Sequence, residues 1–172
     1  NSVPSVLIVA LGDSVTAGSA AQDEYLHDEV YHAQLKHLLE QHYPQCVFSV
    51  INAGDNGQSA TGGIARLERD VLHHQHDLVL IGYGLNDAMG EMAGLQTYGN
   101  ALKTLIQRTR EATSANIILL TPNVMPHYEN DNIPEKWRHV TEKFLHLQND
   151  GVLAAYAHCA REIGRKNHVA VA

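Results

Sequence analysis

"SVLIVALGDSVTAG", residues 5–18, passes in one step from an apolar run into Gly12, Asp13 and Ser14. The run is short, rich in Val and other aliphatic residues, and apolar at consecutive rather than alternate positions. That is the pattern of a parallel strand with helices over both faces. Four more runs repeat it: CVFSVI at 46–51, DLVLIG at 77–82, NIILLT at 116–121 and HVAVA at 168–172. Helical stripes lie between them. Tyr31, Leu35, Leu38 and Leu39 share one face; Ile64, Leu67 and Val71 form a second stripe. Tyr98, Leu102, Leu105, Ile106 and Thr109 form a third, and Leu153, Tyr156, Ala160 and Ile163 a fourth. The alternation implies a parallel sheet with right-handed crossovers and helices on both faces. The expectation is a single α/β domain over residues 1–172, a three-layer α/β/α sandwich on a five-stranded sheet.

The totals bound the function. A chain of 172 residues can bury one core without disulfides or a structural metal. Lys and Arg number 12 against 19 Asp and Glu, and the net charge of -7 argues against nucleic acid as a partner. No apolar run approaches the roughly 20 residues a membrane span needs, and the first residues show no basic leader pattern. The start at Asn1 leaves open a removed leader, and with it the compartment. Cys46 and Cys159 lack ligand spacing and are expected to be buried thiols. His73, His74 and His76 suggest zinc, but neighbouring histidines at a helix end read better as a solvated surface. Neither metal nor organic cofactor is expected.

In open α/β sheets ligands bind at the carboxyl ends of the strands. The segments leaving those ends are GDSVTAG, NAGDNGQSATGG, GYGLNDAMG and TPNVMP, all rich in small or polar residues. Phosphate-binding fingerprints are absent: there is no GxxxxGK[ST], and Gly82-x-Gly84 lacks the third glycine of GxGxxG. The GxSxG elbow also fails, because Thr16 stands where Gly is needed. What remains is a serine hydroxyl and several donors able to converge on a developing oxyanion, the parts that acyl transfer requires. Ser14 supplies Oγ and its own N–H, Gly57 an unshielded N–H, and Asn86 a side-chain amide. Gly54 and the Gly62–Gly63 pair read as turn and helix-entry residues. The irregular stretch 121–137 holds three prolines and is expected to form a binding loop, with Met125, Tyr128 and Trp137 lining a pocket or the core.

Gly12-Asp13-Ser14, Asn52-Ala53-x-x-x-Gly57 and Gly84-x-Asn86-Asp87, in that order at successive strand ends, resemble the first three blocks of the GDSL/SGNH hydrolases. The resemblance implies a flavodoxin-like sandwich, Ser14 as nucleophile, and an oxyanion hole made by the Ser14 N–H, the Gly57 N–H and the Asn86 amide. Gly12, Asn52, Gly84, Asp13 and Asp87 become supporting residues, with Asp13 bracing the loops and titrating near the usual aspartate value of about 4. Val15 stands where the family name has Leu. The family's fourth block, DxxH, follows the fifth strand, so its His base and Asp are expected after Ala172, together with a last helix. Asp70-Val71-Leu72-His73 fits DxxH literally, but the stripe beside it turns both polar residues toward solvent. His127 lies at the correct sheet edge and reads as part of a binding loop. The implied activity is hydrolysis of a small-molecule carboxylic ester, either an acyl lipid or thioester or an acetylated sugar, through an acyl-enzyme. The competing reading is a binding domain of the same fold that lacks the base. An uncovered apolar sheet face would also favour self-association.

Overall fold

The computed structural model describes residues 3–20, 24–128 and 135–172, apart from the side chains of 136 and 137, so the expectation for Trp137 falls outside the described residues. The chain runs β1 (Ser5–Gly12), α1 (Ser14–Ala17), α2 (Tyr31–His42), β2 (Val47–Gly54), α3 (Ala60–Leu67), β3 (Leu78–Gly82), α4 (Glu91–Ala112), β4 (Asn116–Leu120), α5 (Glu135–Asn149), α6 (Val152–Asn167) and β5 (Ala170–Val171). Every strand pair is parallel, in the order β2-β1-β3-β4-β5. The fold is the α/β sandwich that the alternating pattern implies.

Ile8, Val9, Ala10 and Leu11 of β1 are fully buried, which explains their unbroken apolar run: alternate side chains enter different cores. Val9 and Leu11 join Val79, Ile81 and Leu119 in the larger core, against Leu67 of α3, Tyr98 and Leu105 of α4, and Tyr156 of α6. Ile8, Ala10, Phe48 and Leu80 form the smaller core, under Tyr31, Leu35 and Leu39 of α2. Register then sets the site. Gly12 lies level with Gly54 on one side and with Gly82 on the other, so three neighbouring strands end in one row.

Several local expectations need correction. Leu38 is 60% exposed, because α2 covers a narrower core than its apolar content suggests. The stripe of Ile64, Leu67 and Val71 does not lie on one α-helix: α3 ends at Leu67 and a π turn carries the chain to Leu72. β2 extends to Gly54, α4 begins at Glu91, and β5 has two residues. The stretch 121–137 is not irregular throughout, since α5 starts at Glu135. Cys46 and Cys159 are free thiols but only half-buried. Of the histidine cluster, His73 is exposed, whereas His76 is buried, its Nδ1 2.7 Å from the His74 carbonyl, so the cluster is not uniformly solvated. Asp70 is half-buried, bonded to Arg66 at 2.8 Å and to the exposed Arg69, rather than free in solvent, while His73 is exposed and bonds the Glu68 carbonyl. Among the described residues no helix is long and apolar enough to cross a membrane, and no three His, Cys, Asp or Glu side chains gather as metal ligands.

Candidate active site

β1 ends at Gly12, and the chain turns at once into the short helix α1, whose first residue is Ser14. Asp13 caps that helix: its carboxylate accepts the Val15 N–H at 3.0 Å. An Asp at this position satisfies an N–H that the helix start leaves without a partner. The Ser14 carbonyl accepts from Gly18 and Ser19, so both ends of the turn are tied and the half-exposed Ser14 side chain sits on a fixed base.

The second segment leaves β2. The Asn52 side chain donates to the Ala17 carbonyl at 3.2 Å and accepts the Gly54 N–H at 2.9 Å, joining β2 to the end of α1. Gly54 is required by space rather than by backbone angle, because a Cβ there would lie 2.1 Å from the Ala17 nitrogen. Gly57 is the opposite case. Its φ is +73°, and nothing lies within 4 Å of where a Cβ would stand, so the demand is conformational. α3 then starts at a Ser59 cap, whose Oγ accepts the Gly62 N–H at 3.3 Å.

The third segment leaves β3 through Gly84, whose carbonyl accepts the Ala88 N–H at 2.9 Å. Asn86 Nδ2 donates to the Gln58 carbonyl at 3.0 Å and, more weakly, to Asp13 Oδ2 at 3.5 Å. Asp87 accepts the Ala60 N–H with both oxygens, at 3.1 and 3.2 Å. Asn86 therefore bonds to both other segments, and Asp87 adds a tie from this turn to the start of α3. Tyr98 donates to the Tyr83 carbonyl at 3.0 Å, and Tyr156 lies within 3.0 Å of the Asp87 and Glu91 carbonyls, fixing this turn from below.

Asp13 accepts from Val15 in its own turn and, at 3.5 Å, from Asn86 of the third segment, and its titration departs from expectation. It is 3% exposed, and burial pushes its pKa up to about 6, opposed by the Val15 N–H and helped by the nearby Asp87 carboxylate. Burial likewise raises Asp87, against the opposing pull of the Ala60 N–H. Two carboxyls of raised pKa thus lie in the turns that Asn86 joins, Asp13 at 3.5 Å from its amide.

One arginine was not foreseen. Arg66 of α3, 8% exposed, sends its guanidinium beneath the site to the carbonyls of Gly12 and Ala53 and to the Tyr83 hydroxyl. In the sequence, Arg66 and Asp70 read as an ordinary i,i+4 surface pair; only the neighbouring Gly63, which admits the Tyr83 ring, hints at a buried face. Other candidates lie apart from these contacts. His127 is exposed and bonded to Asn149 at the end of α5, at 2.8 Å. Tyr128 is 78% exposed, and Met125 packs half-buried on the larger core. His32 is buried, its ring bonded to the Thr16 carbonyl at 2.9 Å; burial lowers its pKa more than that carbonyl raises it. A cavity of about 330 Å³ opens beside Asp13, lined by Tyr31, Leu85, Leu120, Pro122 and Ala172.

Residues 10–172 match the family model of the GDSL-like lipase/acylhydrolases. The chain belongs to this family. Among GDSL-like relatives, it is 33% identical over 93 residues to the esterase TesA of Pseudomonas aeruginosa, which covers 54% of this chain and 44% of that protein. It is 28% identical over 138 residues to an acetylxylan esterase of Geobacillus stearothermophilus, covering 72% of this chain and 63% of the relative. The chain thus spans about half to two thirds of these relatives' lengths. Among solved structures, a lipase/acylhydrolase from Enterococcus faecalis superposes with a TM-score of 0.63 at 26% identity, covering 96% of this chain and 74% of that one. A mutant of the Geobacillus acetyl-xylooligosaccharide esterase Axe2 superposes with a TM-score of 0.69 at 23% identity, over 98% of this chain and 76% of that one, a likeness of fold.

Proposed function

We propose that this chain is a carboxylic ester hydrolase that works through an acyl-enzyme on Ser14. The observation that carries the reading is the Asn86 amide, bonded at once to the Ser14-bearing and the Gly57-bearing segments. In this mechanism Ser14 Oγ attacks the ester carbonyl carbon and gives its proton to a base. The carbonyl oxygen gathers negative charge and is held by the N–H groups of Ser14 and Gly57 and by Asn86 Nδ2. The 3.5 Å bond from Asn86 to Asp13 is the weaker of its two, and is the one an oxyanion replaces. Each such donor lowers the barrier by about 3 kcal/mol. The intermediate collapses, the alcohol leaves with the proton, and water then attacks the acyl-enzyme in the same way. The base in this reading is a histidine on chain following Ala172.

Acetylated sugars are the favoured substrates. Asn56, next to Gly57, donates to the Tyr25 hydroxyl at 3.0 Å, and Tyr25 is half exposed and stacked on His27, a polar aromatic rim suited to a sugar ring rather than to a long acyl chain. The acetylxylan esterase relative points the same way.

The test is a fluorophosphonate reaction on the intact protein, read by mass and peptide mapping, with 4-nitrophenyl acetate hydrolysis in parallel. A single adduct on Ser14 and loss of hydrolysis in Ser14→Ala are expected. No adduct, or undiminished turnover in the variant, would refute the enzyme and leave the binding-domain reading. Faster hydrolysis of 4-nitrophenyl decanoate than of an acetylated xylo-oligosaccharide would reverse the substrate assignment.

A further inference from the structure

We infer that Arg66 is a positioning residue that sets the geometry of all three site segments at once. Its Nη1 donates to the Ala53 carbonyl at 2.7 Å, and its Nη2 donates to the Gly12 carbonyl and bonds the Tyr83 hydroxyl at 2.8 Å. Gly12 directly precedes Asp13 and Ser14; Ala53 lies one residue before the row where β1, β2 and β3 end; Tyr83 opens the segment that carries Asn86. One planar group therefore holds the roots of the serine turn, the Gly57 loop and the Asn86 turn. Lysine cannot do this, since an ammonium offers its donors from a single point whereas the guanidinium presents them at both ends of a rigid fork.

Two features separate this arrangement from an ordinary buried ion pair. The carboxylate partner, Asp70, binds only Nη1, from the outer side at 2.8 Å, and is itself shared with the exposed Arg69. The Nε of Arg66 is buried and unpartnered, so the group is held where its two outer nitrogens reach the strand ends rather than where all its donors would be satisfied. Arg66 touches no reacting atom; it acts through the backbone it holds.

The kinetic part of this inference rests on the proposed esterase reading, and the exchange part does not. Three variants separate the roles. Arg66→Lys keeps the charge and loses the fork; Asp70→Asn removes the carboxylate and leaves the carbonyl bonds; Tyr83→Phe removes only the tie to the third segment. With 4-nitrophenyl acetate, Arg66→Lys is expected to lower kcat by about 10- to 100-fold with KM nearly unchanged, as expected when reacting groups are displaced by a fraction of an ångström. Asp70→Asn keeps kcat within about twofold, because the positioning bonds remain. In hydrogen exchange, Arg66→Lys raises the rates at 14–18, 54–58 and 84–88 together, and Tyr83→Phe raises them at 84–88 alone.

An unchanged kcat in Arg66→Lys, an equal loss in Asp70→Asn, or exchange that rises evenly along the chain would overturn the inference. If Arg66→Lys does not fold, Tyr83→Phe decides: exchange raised at 84–88 alone upholds the clamp, and exchange left unchanged there refutes it. Should the wild-type protein hydrolyse no ester, the esterase reading fails, and the exchange pattern still decides the role of Arg66.

Discussion

Asp13 carries a cost that its neighbours impose. An aspartate in the unfolded chain loses its proton near 3.8, and in the folded protein Asp13 keeps it up to about 6. Between those values the folded state binds more protons than the unfolded state. Stability therefore falls as pH rises through that window, and the penalty is constant above it. At roughly 1.4 kcal/mol per unit, the penalty at neutral pH is about 3 kcal/mol. Asp13→Asn is expected to raise the free energy of unfolding, measured by urea titration, by part of that amount at pH 7.5 and to leave it close to wild type at pH 3.5. An equal gain at both pH values would show that burial of the charge is not the cause. The place of Asp13 as the cap of the turn at Ser14 is legible from the Gly-Asp-Ser step after an apolar run, but its titration is not, because burial depends on the segments from β2 and β3 that close over it.

At the scale of elements, legibility followed how much of a segment's burial is local. The runs at 5–12, 77–82 and 116–121 are apolar on both faces and were readable as strands almost to the residue. α4 was readable by its stripe from Tyr98 to Thr109, all buried, but not at its start, where Gly90 and Gly94 give no apolar signal. α5 was hidden by the prolines before it. Leu38 misled, because an apolar residue on a helix reports a buried face only where another element lies opposite. α3 tests how a helix entry supports the site, since the Ser59 cap sits between Gly57 and Arg66. Ser59→Ala is expected to lower stability by about 1 kcal/mol, measured by urea unfolding. A loss below a few tenths of a kcal/mol would show that the Asp87 bond to the Ala60 N–H is cap enough.

For the whole molecule, the two faces of the sheet are unequal. α3, α4 and α6 bury one face under a large core, while the other has α2, leaving Leu78, Ile118 and Leu120 half-buried and Leu38, Tyr43 and Val47 exposed near the β2 edge. Such a surface favours association. Sedimentation velocity on the 172-residue chain is expected to show concentration-dependent dimers or larger species at micromolar concentration, and a monomer throughout would contradict it. The strand order has a separate consequence for how the sheet is assembled. Of the five strands β1 is made before the others and ends between β2 and β3; β4 then joins β3, and β5 joins β4. Each of these strands adds to an edge already present and none is inserted between two others, so this sheet can grow in the order of synthesis, with the serine turn in place before β5 is translated.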